Sequence, residues 1–362
     1  MVLLTVGAVD AAGYSIIAPV TPSIARSTGA GPGLIGVMVA SFALGSVVAS
    51  VLAAGEVKRG RTSRVLMISL AMAALGSLGF VFGNGLIVYF VSRLIMGAGA
   101  GGVWMGITFN ILERYPGQEY LCMSRVFAAY AVGGLVGPVL GSIGGIARPF
   151  TAYFVLVLVA GVLVAVMGES QSTRSFDTDR SALRLPAFWL SSAGLLFAVL
   201  GIGMLDGVLP LLFGSQLSQT EIGVLYAATS VVVATSSALA ARFRPRYALA
   251  AALGLIIVGI AVAGAAREVP VWIAALAVTG GGIGLANTGS IGVLLEGVPT
   301  ERIVTAMVVW SQLGIVGYFI GPLAGGFVAQ TVGYQAIGLV PFLGAIPVSI
   351  FVIRTRSISR RG

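Results

Sequence analysis

Three charged side chains fall inside long apolar stretches of this sequence: Asp10, Arg93 and Asp206. A carboxylate in such surroundings is costly unless it faces a protein interior, pairs with a cation or takes up a proton, and each of those outcomes is chemistry. The chain has no His, so a proton carried at depth falls to a carboxylate. Asp10 is the first candidate for proton coupling and Asp206 the second, with Arg93 as a possible counter-charge. Tyr14, Trp104, Asn110, Tyr130, Asn287, Trp310 and Gln312 lie in similar stretches and could line a cavity for a small molecule. The aromatic members serve equally well as packing or interface anchors. No phosphate-cradling loop, zinc-ligand spacing or nucleophile elbow occurs, so neither catalytic residues, metal nor cofactor are expected, and the chain does not read as an enzyme.

The elements that position these residues must be membrane helices. The 362 residues are 57% hydrophobic and 9% charged, with a mean hydropathy of +1.03, far from the ~25% charge of soluble domains. Gly contributes 52 residues, which suits helices that approach one another through small side chains. Stretches of about 20 apolar residues predict spans at 2–25, 34–55, 64–84, 86–112, 119–146 and 150–168. A second set follows at 186–213, 220–242, 247–266, 269–295, 301–330 and 334–353. The fold class is therefore all-α and integral to the membrane: twelve helices in two six-helix bundles, residues 1–168 and 186–354. A polar linker at 169–185 joins them and a tail at 355–362 follows. Met1 to Ala18 lacks a basic leader and contains Asp10, so it reads as the first span rather than a signal peptide.

The net charge of +9 does not point to nucleic acid, because the basic residues form short clusters between apolar runs. Lys58, Arg59, Arg61, Arg64, Arg114, Arg125, Arg174, Arg180, Arg184, Arg242, Arg244, Arg246, Arg302, Arg354, Arg356, Arg360 and Arg361 fall on alternate connections, and the opposite ones hold Arg26, Arg148 and Arg267. By the positive-inside rule this places both termini in the cytoplasm of a multi-pass protein of the cell membrane. Cys122 is the single cysteine, so no intramolecular disulfide forms. The lipid bilayer and a small molecule are the expected partners, and a monomer the expected state.

The two halves repeat each other at an offset near 185. Ile35-Gly36-Val37 recurs as Ile222-Gly223-Val224, and Gly97, Gly99 and Gly101 recur as Gly280, Gly282 and Gly284, which relates Trp104 to Asn287. Leu112-Glu113-x-x-Pro116 recurs as Leu295-Glu296-x-x-Pro299, and Gly133-x-x-x-Gly137-Pro138-x-x-Gly141 as Gly317-x-x-x-Gly321-Pro322-x-x-Gly325. Several matches in order at nearly one offset mark a duplicated bundle, the architecture of carriers whose halves rock about a midplane site. Aligning Pro210 with Pro19 sets Asp206 opposite Ser15, towards the outer end of its span, where an outer gate and a substrate contact are equally open roles.

The segment from Gly133 to Gly141 resembles the antiporter signature G-x-x-x-G-P-x-x-G-G of the major facilitator superfamily, with Ser142 in place of the last Gly. Arg93 to Gly99 resembles that family's R-x-x-q-G-x-g pattern, with Met96 where Gln is usual, and Asp10-x-x-Gly13-Tyr14 with Pro19 and Pro22 is similar to the opening helix of its twelve-span drug:H⁺ antiporters. The first cytoplasmic loop keeps Lys58, Arg59, Gly60 and Arg61 of the family's G-x-x-x-D-R-x-G-R-R motif, yet has Val57 where the Asp belongs. The neighbouring Glu56 is a candidate substitute for it, although one position of helical register points it elsewhere. The resemblance covers nearly the whole chain. It implies a secondary transporter working by alternating access, with Gly133, Gly137, Pro138, Gly141, Gly317, Gly321, Pro322 and Gly325 as gating or packing residues and H⁺ as a partner. Proton-coupled efflux of a small lipophilic compound is the first reading. The alternatives are symport or facilitated transport of a sugar, amino acid or other metabolite, and, from another class, a non-transporting membrane sensor or assembly partner.

The charge distribution makes a direct prediction. A cysteine placed at Arg180 should be shielded from impermeant maleimide in intact cells, and one near Asn84 or Arg267 should be labelled. External labelling at position 180 would invert the topology.

Overall fold

A computed structural model describes residues 1–57, 59–115, 118–168, 180–240, 242–299 and 302–346. Lys58, most of the expected linker and the end of the chain lie outside the described residues. Among the described residues the helices include α1 (Val2–Ser15), α2 (Ile17–Thr28), α3 (Pro32–Val57), α4 (Thr62–Phe82), α5 (Leu86–Arg114), α6 (Glu119–Gly141), α7 (Ala147–Met167), α8 (Pro186–Gly207), α9 (Leu209–Phe213), α10 (Gln219–Ala240), α11 (Pro245–Ala265), α12 (Val269–Gly297) and α13 (Ile303–Thr331). Among the described residues, 11 stretches are long and apolar enough to cross a membrane, α1 with α2 and α8 with α9 each counting once. A further apolar stretch, Tyr334–Ile346, reaches the edge of the described chain where the twelfth span is expected.

Helices are the required solution in lipid, because each satisfies its own backbone N–H and C=O groups where no water can. Their outer faces carry large apolar side chains in the open, such as Leu52, Phe82 and Val166. Between helices, small residues set the spacing. The chain divides into two compact units, one of Met1–Phe176 with Phe213–Ala228 and one of Asp177–Leu212 with Thr229–Gly362.

In the first unit α5 is central, packed against α3 and α4, while α1 packs against α6 and α4 against α7. A Cβ on Gly97 would overlap the Phe42 carbonyl of α3, and one on Gly101 would overlap that of Ser46. In the second unit α12 packs against α11 and α8, and α8 against α13. Gly284 of α12 sits just as closely on Val233 and Ser236 of α10. The repeated glycines thus do the same work in both units: they let the fourth and tenth spans touch the backbone of the second and eighth.

The proline-bearing glycine motif follows the same logic. Gly133 lies on the Ala8 carbonyl, Gly137 on Ser15 and the Ala12 carbonyl, and Gly141 on the Ile16 carbonyl and Pro19. Its copy seats Gly317 on Leu196, Gly321 on Leu200 and Gly325 on Val208 and Met204. Each motif is therefore a backbone-to-backbone seam between the first and fifth spans of its half. The far end of α6 is also fastened within the first unit by Gln219, whose amide donates to the carbonyls of Gly141 (2.7 Å) and Gly145 (2.9 Å) and accepts from Ser23 Oγ (2.8 Å).

The seam predicts a graded response to bulk. A Cβ at Gly137 would stand 2.6 Å from the Ala12 carbonyl oxygen, whereas one at Gly161 meets nothing within 4 Å. Gly137→Leu should lower the unfolding midpoint in detergent by about 5 °C or more, consistent with the ~1–3 kcal/mol cost of overpacking, and Gly161→Leu should leave it unchanged. Equal midpoints for the two variants would mean that the seam carries no stability.

Candidate functional site

Proline chemistry creates the first feature of the site. Pro19 has no N–H to give the Ser15 carbonyl four residues back, and the first span breaks at Ile16, between α1 and α2. Immediately before the break, the carbonyls of Gly13 and Tyr14 accept from Arg93 of α5, at 3.0 Å through Nη1 and 2.8 Å through Nη2. The guanidinium carbon also lies 4.3 Å from the centre of the Phe42 ring, and Phe42 meets Tyr14 edge-on at 5.7 Å. Arg93 has no accessible surface. Placing Arg at the centre of a membrane helix costs about 3 kcal/mol on insertion scales, and each hydrogen bond to a charged group returns about 1.5–3 kcal/mol. Two carbonyls and a ring face are enough to hold it there. Pairing with Asp10 was one expected fate of this cation; in the structure the carbonyls of the broken helix take two of its donors.

Asp10 lies one turn before Tyr14 on α1, 9% exposed, and its Oδ2 accepts from the Tyr130 hydroxyl of α6 at 2.7 Å. Trp104 of α5 stands edge-on to the Tyr130 ring, with centroids 5.7 Å apart, and Phe127 flanks the same indole at 5.7 Å. The Tyr153 hydroxyl of α7 fills the space left by the missing side chain of Gly13. The fold therefore brings together Asp10, Tyr130 and Trp104 from three helices, with Arg93 and Tyr14 one turn further along. Asn110 is not part of this group. It is fully buried near the end of α5, donating to Thr62 Oγ1 at 3.2 Å, and Thr62 in turn donates to Glu113 at 3.4 Å.

In the second unit Asp206 of α8 is 4% exposed and accepts from the Tyr318 hydroxyl of α13 at 3.0 Å. Trp310 and Gln312 precede Tyr318 on α13. The Trp310 ring is buried, and its N–H, like both ends of the Gln312 amide, has no hydrogen-bond partner among the described residues. Asn287 is half-buried on α12. These are groups a polar ligand could satisfy.

The first loop corrects one expectation. Glu56 does not point away: its two carboxylate oxygens accept from Arg59 and from Arg61, the latter at 2.9 Å. The turn that permits this passes through Gly60 at φ +76°, a left-handed conformation that costs Gly nothing. All three side chains are at least a third exposed, so the pairs shape the turn rather than anchor the fold.

Tyr318, Tyr153, Phe42 and Thr62 were absent from the sequence-derived set. Tyr318 was detectable: it stands four residues before Pro322, as Asp206 stands four before Pro210. For Phe42 and Tyr153 no local signal existed, because their roles depend on which glycine or cation another helix presents.

A family model described as "Major Facilitator Superfamily" matches residues 3–234. Multidrug resistance protein 2 of Bacillus subtilis (strain 168) is 27% identical over 165 residues, 44% of this chain and 41% of that protein. The synaptic vesicular amine transporter of Homo sapiens is 26% identical over 300 residues, 75% of this chain and 57% of the relative. The match thus spans less than two thirds of either relative. Among solved structures, a D-xylose-proton symporter superposes with a TM-score of 0.76 at 15% identity, covering 97% of this chain and 95% of the other. The human organic anion transporter MFSD10 superposes with a TM-score of 0.70 at 18% identity, over 97% and 98% of the two chains. Two glycine-seamed units, a broken first helix held by a buried Arg and these likenesses together make the chain a member of the major facilitator superfamily, with that family's all-helical membrane fold.

Proposed function

We propose that this transporter exports a small lipophilic compound in exchange for protons, by alternating access, with Asp10 as the proton carrier. The observation that carries the reading is the placement of the Asp10 carboxylate. It is buried within the first apolar span and bonded by Tyr130, and Tyr130 belongs to the helix whose glycine-proline motif packs along α1. A change in the charge of Asp10 acts on the seam itself, because the phenol that holds it is one turn from Gly133 and two from Gly137. Proton binding and helix packing are then one event, which is what coupling requires.

Export of a lipophilic compound draws on the antiporter-like motif and on the likeness to a multidrug resistance protein. The family places the protein in a multi-pass membrane setting, and the basic loops favour cytoplasmic termini, which makes inside-out vesicles the natural assay. Symport of a metabolite uses the same deep acids in the opposite direction. The likeness to a D-xylose-proton symporter, at 15% identity, is one of fold.

The test uses ethidium as probe in inside-out vesicles energised by respiration, with a pH-sensitive dye in parallel. Wild-type protein should accumulate ethidium and dissipate part of the pH gradient when the probe is added. Asp10→Asn, nearly isosteric and uncharged, should reduce gradient-driven accumulation at least tenfold while its unfolding midpoint stays close to wild type. Full accumulation by Asp10→Asn would remove Asp10 as carrier. Proton movement in the same direction as the probe would replace antiport by symport.

A further inference from the structure

The two units carry the same chemical pair at different depths. In the first, an Asp of the opening span accepts from a Tyr of the fifth, Tyr130 to Asp10 at 2.7 Å; in the second, an Asp of the seventh span accepts from a Tyr of the eleventh, Tyr318 to Asp206 at 3.0 Å. Counting back from the prolines that mark the equivalent helices, Asp10 is nine residues before Pro19 and Tyr130 eight before Pro138. Asp206 and Tyr318 are each four before Pro210 and Pro322. The second pair is therefore shifted by four or five residues on both of its helices, about 6–7.5 Å at ~1.5 Å rise per residue. On the same count, Gly201 and Gly314 stand where the first pair would recur, and Ser15 and Gly134 stand opposite the second. Each half has both members of the pair at one level and small residues at the other.

The position of the second pair is specific in another way. A proline withholds its hydrogen bond from the carbonyl four residues earlier, and those residues are Asp206 in α8 and Tyr318 in α13. The side-chain bond joins the two helices at the level where each ladder is interrupted, and α8 does give way to α9 at Val208. A purely structural tie at this point needs no acid, since an Asn would accept the same hydrogen bond without the cost of a buried charge.

We infer that Asp206 and Tyr318 form a second proton-accepting site, in which Tyr318 is the positioning residue that orients the carboxylate. The step is a proton transfer alone. An Asp206 carboxylate oxygen takes a proton from hydronium, leaving water, and Tyr318 keeps its own proton while donating to the carboxyl group. Around α8, the packed elements place Arg246 and Tyr247 at the start of α11, Arg302 at the start of α13 and Glu296 at the end of α12, the same end as Pro186. Arg267 and Glu268 precede α12 and Tyr334 follows α13, and α13 itself brings Tyr318 to the carboxylate. The inference extends the proton-coupled reading, from one carrier to two acids in one cycle.

Difference infrared spectroscopy on the purified protein in lipid nanodiscs tests it without any substrate, and so separately from export. Across a pH titration, wild type should show one carboxylic-acid C=O band from each of the two buried acids, beside those of the chain's other carboxyl groups. Asp10→Asn should remove one and Asp206→Asn the other, while Tyr318→Phe should displace the frequency and midpoint of the Asp206 band and leave the Asp10 band in place. In vesicles, the number of protons exchanged per ethidium should fall from two to one in Asp206→Asn. A titration that is the same with and without Asp206 would overturn the site. An Asp206 band unmoved by Tyr318→Phe, a variant that keeps the ring and loses one oxygen, would reduce the tyrosine to packing.

Discussion

The carbonyl oxygens exposed by the break in the first span impose the central constraint on this fold. Lipid offers them no donor, and an unsatisfied backbone group in hydrocarbon costs several kcal/mol. Arg93 answers for two of them, Gly13 and Tyr14, and in doing so ties α5 to the point where α1 becomes α2. Phe42 caps the guanidinium from α3, so three spans converge on one cation. The cost of burying Arg93 and the cost of breaking the helix offset each other, and removing either partner would leave the other stranded. A Lys in its place could not donate in a planar fork to two successive carbonyls.

With the break fixed, the rest of the unit has a register. Gly141 rests on Ile16 and Pro19 at the break, and Gly137 and Gly133 follow at four-residue intervals along α1. That spacing places Tyr130 beside Asp10 without any additional device. The second unit uses the same seam between α8 and α13, but spends its tyrosine at Tyr318, one turn from the corresponding position. The two units therefore share the packing and differ in where the polar pair stands.

Much of this was legible in the sequence because it rests on composition and on small residues. The spans follow from hydropathy, and the repeated glycines announce which helices touch, since only Gly permits a carbonyl of the neighbour to lie where a Cβ would be. The breaks at Ile16 and Val208 were not among these, since hydropathy gives unbroken spans at 2–25 and 186–213, although Pro19 and Pro210 account for them. What the sequence concealed were choices among equivalent partners. Arg93 could have met a carboxylate or a carbonyl, and the outcome depends on how the end of α1 is rotated just before the break. Glu56 ends a helix that does run to Val57; the signal hidden from the sequence is the left-handed turn at Gly60, which brings Arg59 and Arg61 back to it. Asn110 reads like a cavity residue from its depth, yet it closes a small polar chain with Thr62 and Glu113 at the helix end.

The edge-on contact of Trp104 with Tyr130 has an optical consequence. The indole is 5.7 Å from a phenol that is itself bonded to the Asp10 carboxylate, close enough for its excited state to feel the local field and the orientation of the ring. The chain has four Trp residues; Trp189, Trp272 and Trp310 all belong to the other unit, and Trp189 is exposed. With the other three Trp residues replaced, emission from Trp104 would gauge the charge on Asp10, with neither a label nor a known substrate.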